Sequence, residues 1–110
     1  MLSMEQMIDG FKNGKDMGKA VVLTFDDGYM DNYTNVFPLL KKYNANASFF
    51  IVQSKIGKPN YMGHNEITEL IHAGNDLASH TINHNILTDI DPKYFAWELS
   101  SSKFFLKKGI

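Results

Sequence analysis

The chain has 110 residues, 44% hydrophobic and 13% aromatic, with a formal net charge of −1 and no cysteine. That length supplies one small domain or part of a larger one, and the apolar content is sufficient for a packed core, which excludes a disordered chain. Near-neutral charge excludes a polycationic face for nucleic acid or an anionic membrane, and the absence of cysteine excludes disulfides, thiolate zinc sites and a cysteine nucleophile.

Ser3 followed by Gln6 is a capping-box pattern, and Met4, Met7, Ile8 and Phe11 recur at helical spacing, so a helix is expected from Ser3 to about Lys12. Residues Met1 to Lys19 carry Glu5, Asp9 and Asp16 and no long apolar run, so they read neither as a signal peptide nor as a membrane span. After the loop Asn13 to Gly18, the apolar and β-branched run Ala20 to Phe25 suits a strand buried on both faces of a parallel sheet. Tyr33, Val36, Phe37 and Leu40 predict a helix from about Asp31 to Tyr43, with Pro38 imposing a kink or a start near Asn35. Ala47 to Val52 reads as a second buried strand. Ile67, Leu70 and Ile71 mark a helix ending at Gly74, a left-handed cap. Asp76 to Ser79 is a short third strand. Asp91-Pro92 opens a last helix that shares Phe95, Leu99, Ser102 and Leu106 on one face and closes at Gly109.

A helix followed by three strand–helix units predicts an α/β fold with parallel strands and right-handed crossovers. Three strands make a thin sheet, and the sequence stops one residue after a helix cap, where a fourth strand is expected. The expectation is therefore a partial fold with an open sheet edge, prone to self-association.

Two short strings carry the chemistry. Asp26 and Asp27 lie where the first strand meets Gly28, at the carboxyl edge where α/β folds assemble their sites. Consecutive residues at a strand end can point different ways, one carboxylate toward a metal and one toward an attacking water. Asp-Gly is also ordinary turn chemistry; the position after a buried strand and the second string favour the functional reading. His80 and His84 follow the third strand, four positions apart. One carboxylate with two imidazoles can hold a divalent ion and leave a coordination position open, with the other carboxylate free as a base. The pair is not a zincin motif, because Thr81 stands where that motif requires Glu. His72 reads as a solvated helix residue, and His64 is assigned no role.

Together, Thr24-Phe25-Asp26-Asp27-Gly28 and His80-Thr81-Ile82-Asn83-His84 resemble the first two motifs of the polysaccharide deacetylases of the NodB-homology type, carbohydrate esterase family 4. The likeness extends through Pro38 to Tyr43, Ala47 to Phe50, the approach from Gly74 to His80, and Glu98 to Lys103, thus about Lys19 to Ile110. It implies a partial (β/α) barrel of about three βα units, with residues 1–18 as an N-terminal helix and loop and residues 19–110 as the first half of a deacetylase domain. It further implies a metal-dependent hydrolase that removes acetyl groups from N-acetylated sugars of a glycan. In that scheme Asp27, His80 and His84 hold the metal, zinc or else cobalt or nickel, and Asp26 is the general base. Chitin oligomers, peptidoglycan, poly-N-acetylglucosamine and acetylated xylan all remain open as substrates, and such proteins are expected outside the cell or at its surface.

Two departures accompany the likeness. His64 stands where the family often has tryptophan. The family's later motifs supply an arginine that orients the base, an oxyanion-binding amide, an Asp-Trp wall and a histidine acid, and none has a counterpart here. The 110 residues alone are therefore expected to be inactive. Two other readings compete with this one. Phosphoryl transfer of the haloacid-dehalogenase type needs Asp-x-Asp, whereas these aspartates are adjacent and paired with histidines. A non-catalytic metal-binding or assembly fragment is the alternative.

Overall fold

The computed structural model describes residues 2–109, excepting the side chains of residues 104, 105 and 107–109; Met1 and Ile110, the outer limits of the two expected segments, lie outside the described residues. The elements run α1 (Met4–Lys12), β1 (Thr24–Asp27), a π-helical turn (Asn32–Val36) continuing into α2 (Phe37–Lys42), β2 (Ser48–Ile51), α3 (His64–His72), β3 (Asp76–Ser79) and α4 (Phe95–Gly109). The three strands form one parallel sheet in the order β1-β2-β3, with Thr24 paired to Ser48 and Ser48 to Asp76. This is the predicted α/β alternation.

Local chemistry explains most of the boundaries. The capping box at α1 forms as expected: the Gln6 amide donates to Ser3 Oγ at 3.0 Å, and the Ser3 amide donates to Gln6 Oε1 at 2.9 Å. The apolar face of α1 is only partly covered, however, and Phe11 is 71% exposed. Three helices stop in the same way. At the end of α3 the Gly74 amide donates to Ile71 O at 2.9 Å and the Asn75 amide to Leu70 O at 3.2 Å, with Gly74 at φ +93°. Asn44 (φ 50°) after α2 and Gly14 (φ 64°) after α1 complete equivalent paired bonds, the Schellman arrangement.

Pro38 is accommodated without breaking its helix. The preceding turn widens to π geometry, with the Phe37 amide donating to Asn32 O. Pro38, at the start of α2, has no amide to contribute, and the wider register relieves the clash its ring would make with the carbonyl four residues back.

Two expectations need correction. The first strand covers Thr24–Asp27 rather than Ala20 to Phe25, and it is not buried on both faces: it lies at the sheet edge, with Thr24 and Asp26 exposed. A strand exists only where a partner supplies its ladder, and β2 starts at Ser48, after the Asn44 turn. Val21 O instead accepts from the Leu2 amide at 2.9 Å. The central strand β2 is the buried one, with Phe49 1% exposed and stacked on Phe25 across the register at 5.4 Å between ring centres. Phe37, Leu40, Ala47, Ile51, Met62, Ile67, Leu70 and Leu106 complete the core around it.

The second correction concerns α4. Ser102 and Leu106 are buried as expected, but Leu99 is half exposed and Glu98 takes its place on the face turned to β3. Glu98 is chosen over Leu99 because the chain after β3 presents hydrogen-bond donors that only a polar side chain can satisfy. Asp91 does cap the entry to this helix, accepting from the Lys93 amide at 3.1 Å, through a 3₁₀ turn (Pro92–Tyr94) that precedes α4.

Candidate metal and catalytic site

The parallel ladder brings the ends of β1 and β3 to the same edge of the sheet. At the end of β1, Asp27 adopts φ 76° and Gly28 φ 79°, so the chain turns sharply through two successive left-handed residues. Gly28 cannot be replaced cheaply: besides its positive φ, a Cβ there would lie 3.1 Å from Ile51 Cδ1. The Gly28 carbonyl accepts from the Met62 amide at 3.0 Å, which fixes the turn to the segment before α3.

His80 leaves β3 with its amide bonded to Ile51 O at 2.8 Å. The two histidines are not on a helix. Thr81 (φ 67°) and His84 (φ 59°) are both left-handed, and the segment between them folds back so that both imidazoles face Asp27. Thr81 Oγ1 accepts from the His84 amide at 2.9 Å, Ser79 Oγ from the Thr81 amide at 3.2 Å, and the Thr81 and Ile82 carbonyls accept from the Gln53 and Ser54 amides at 3.1 and 2.8 Å. Three non-glycine residues of one small site thus hold strained backbone, a feature that concentrates where a side chain must be aimed.

Nε2 of His80 and Nε2 of His84 each stand 3.2 Å from Asp27 Oδ1, and the two rings are 4.8 Å apart between centres. Asp27 Oδ1 is buried and accepts no hydrogen bond: neither ring nitrogen meets it with hydrogen-bond geometry despite the short distances. Three lone-pair donors within 4.8 Å of one another, one of them an orphaned buried oxygen, fit a cation better than they fit one another. Asp26, adjacent in the chain at the same strand end, is exposed. Close by, Tyr29 stacks on Tyr61 at 5.0 Å, and its phenol is held above its ordinary pKa by the Tyr61 hydroxyl and, further, by the charge of Asp27.

The sequence-derived residues Asp27, His80 and His84 are therefore brought together, with Asp26 beside them. His64 and His72 are the first and last residues of α3, both exposed. Sequence reasoning gave no role to Glu98, whose buried carboxylate is bonded to the segment after His80. Its polar character at a core-facing helix position is the signal that could have found it.

Residues 13–110 match the polysaccharide deacetylase family. The chain belongs to that family, whose reaction is amide hydrolysis on carbohydrates. It is 37% identical over 89 residues to the YxkH protein of Bacillus subtilis (strain 168), a match covering 81% of this chain and 32% of that one. It is 27% identical over 93 residues to a peptidoglycan-N-acetylglucosamine deacetylase of Bacillus cereus, covering 84% of this chain and 42% of that protein. Among solved structures, the Streptococcus pyogenes deacetylase PplD in complex with acetate superposes with a TM-score of 0.90 at 31% identity, covering 97% of this chain and 49% of that one. IcaB from Ammonifex degensii, at 23% identity and a TM-score of 0.86, shares the fold over the whole of this chain and 55% of its own. The chain thus spans a third to about half the length of these relatives. Among the described residues no helix is long and apolar enough to cross a membrane.

Proposed function

We propose that this chain carries the metal-binding and general-base half of a polysaccharide N-deacetylase site. Residues 19–110 correspond to the first half of the deacetylase domain, and residues 1–18 to an N-terminal helix and loop. The observation that carries the reading is the buried, unbonded Oδ1 of Asp27 facing two imidazole Nε2 atoms at 3.2 Å each. Asp27, His80 and His84 would hold a divalent cation, zinc or else cobalt or nickel. When bound, such an ion supplies a Lewis acid that polarises an acetamide carbonyl and acidifies a water.

The protein's own contribution follows from placement. Asp27 and the two histidines offer lone pairs in a fixed arrangement, and Asp26, exposed at the same strand end, would take a proton from an attacking water. The substrate is an N-acetylated glycan, as the names of the deacetylase relatives suggest. The hydrolysis also needs a donor for the leaving amine and a group to orient the base. The chain contains no arginine, and its two other histidines lie exposed at the ends of α3. The 110 residues by themselves therefore bind the ion without measurable turnover, and they self-associate through the open sheet.

Calorimetric titration with zinc tests the ligand set. The wild-type chain takes up one ion, and His80→Ala takes it up more weakly; equal affinity in both proteins would refute the assignment. In a longer deacetylase that includes these residues, acetate release from N-acetylglucosamine oligomers is expected and is abolished by a chelator. The same assay on the 110 residues alone is expected to give no acetate.

A further inference from the structure

We infer that Glu98 is a positioning residue that holds the segment after His80 in the conformation in which His80 and His84 converge; the inference rests on the reading of Asp27, His80 and His84 as metal ligands. Glu98 sits on α4, is 2% exposed, and faces β3 together with Ser102 and Leu106. Its Oε2 accepts from the Ile82 amide at 2.9 Å and from the Asn83 amide at 3.4 Å. Its Oε1 accepts from Asn83 Nδ2 at 3.2 Å and Asn85 Nδ2 at 3.1 Å. Every partner is a donor, and they lie on residues that flank His84 on both sides. One turn along α4, Ser102 shares a hydrogen bond with Ser79, the residue before His80.

The Ile82 and Asn83 main-chain amides can only donate, and a carboxylate accepts from them with one oxygen while the other accepts from the two carboxamides. Glutamine would keep the two main-chain amides on its oxygen, with the exposed Asn83 and Asn85 carboxamides turned to accept from its NH2 group, whereas leucine offers those amides no acceptor. A buried donor without an acceptor is costly, so the segment carrying His84 would detach from α4 in such a variant. His80 is tied separately, through its amide to Ile51 O at 2.8 Å. Losing Glu98 therefore releases the His84 side of the site first.

The test compares Glu98→Leu with Leu70→Ala, a core variant that lowers stability without removing a hydrogen bond to residues 82–85. In the metal-free chain, amide hydrogen exchange at residues 82–85 is expected to accelerate in Glu98→Leu, with β2 and β3 protected as in wild type. Zinc affinity should fall by about 10–100-fold, the usual effect of losing a group that supports a metal ligand. Leu70→Ala should leave both readouts at wild-type values once the protein is folded. Wild-type exchange at 82–85 in Glu98→Leu would overturn the inference, as would equal loss of zinc affinity in Leu70→Ala. If Glu98→Leu does not fold, the double variant Asn83→Ala/Asn85→Ala, at two exposed positions, decides: weaker zinc binding supports the inference and unchanged affinity overturns it. A wild-type chain that binds no zinc would instead defeat the ligand assignment, and the exchange comparison would still decide the role of Glu98.

Discussion

Asp27 combines two unfavourable features, a left-handed backbone at φ 76° and a buried carboxylate oxygen with no hydrogen bond. Each costs about 1–3 kcal/mol in general. Asp27→Gly removes both, against about 0.5–1 kcal/mol for glycine's greater freedom in the unfolded chain. The metal-free variant is therefore expected to be more stable than wild type by about 1 kcal/mol while losing zinc binding. A urea midpoint below that of wild type would contradict this account of a site strained for its task. Asp26 carries the opposite expectation, being exposed and adjacent rather than convergent. In a longer deacetylase containing this motif, Asp26→Asn should keep zinc affinity and lose about 10²–10⁴-fold in rate. If metal and activity disappear together, the roles of Asp26 and Asp27 are exchanged.

α1, α2 and α3 end by one device, and it makes a paired forecast. Gly74 and Asn44 occupy equivalent left-handed positions after α3 and α2, at φ +93° and 50°. Gly74→Ala places a Cβ in that conformation and should cost about 1–2 kcal/mol. Asn44→Gly removes one and should gain a smaller amount, by the same reasoning. Urea unfolding of both variants checks the signs; two changes of the same sign would show that something other than backbone strain governs these caps. The residue after Gly74 matters as well. Asn75 is buried, accepts from the Ala47 amide at 2.9 Å and donates to Leu70 O at 2.9 Å, so it ties the start of β2 to the end of α3. Asn75→Leu leaves the Ala47 amide without its acceptor, while Leu70 O keeps the main-chain amide of residue 75, and should destabilise by about 1–3 kcal/mol.

At the scale of the molecule, the sheet has three strands, and β1 and β3 each hydrogen-bond on one side only among the described residues. Beside β1 lies an apolar recess lined by Leu23, Phe25, Val36, Leu39 and Tyr43, of which Leu39 and Tyr43 are largely exposed. Unpaired strand groups next to apolar side chains favour pairing with another chain. For the 110 residues on their own, a dimer or larger species is expected at micromolar concentration by light scattering after size exclusion. A single species near the 12.5 kDa chain mass with cooperative thermal unfolding would show that the flanking helices cover the sheet well enough.

What the amino-acid sequence determined was whatever depends on neighbours along the chain. The capping box at Ser3 and Gln6, the stop at Gly74, the strand Asp76–Ser79 and the two metal-site strings were all legible, because propensity, turn chemistry and motif spacing act over a few residues. The alternation of strands and helices likewise implied parallel pairing. Tertiary structure decided the rest. The first strand begins at Thr24 rather than Ala20 because its extent is set by the ladder with β2, a partner 24 positions further along. The convergence of His80 and His84 depends on left-handed backbone at Thr81 and His84, which no glycine advertises. The burial of Glu98 in place of Leu99 was decided by donors on the segment that α4 packs against, since a helix pattern shows which faces exist but not what each face must satisfy.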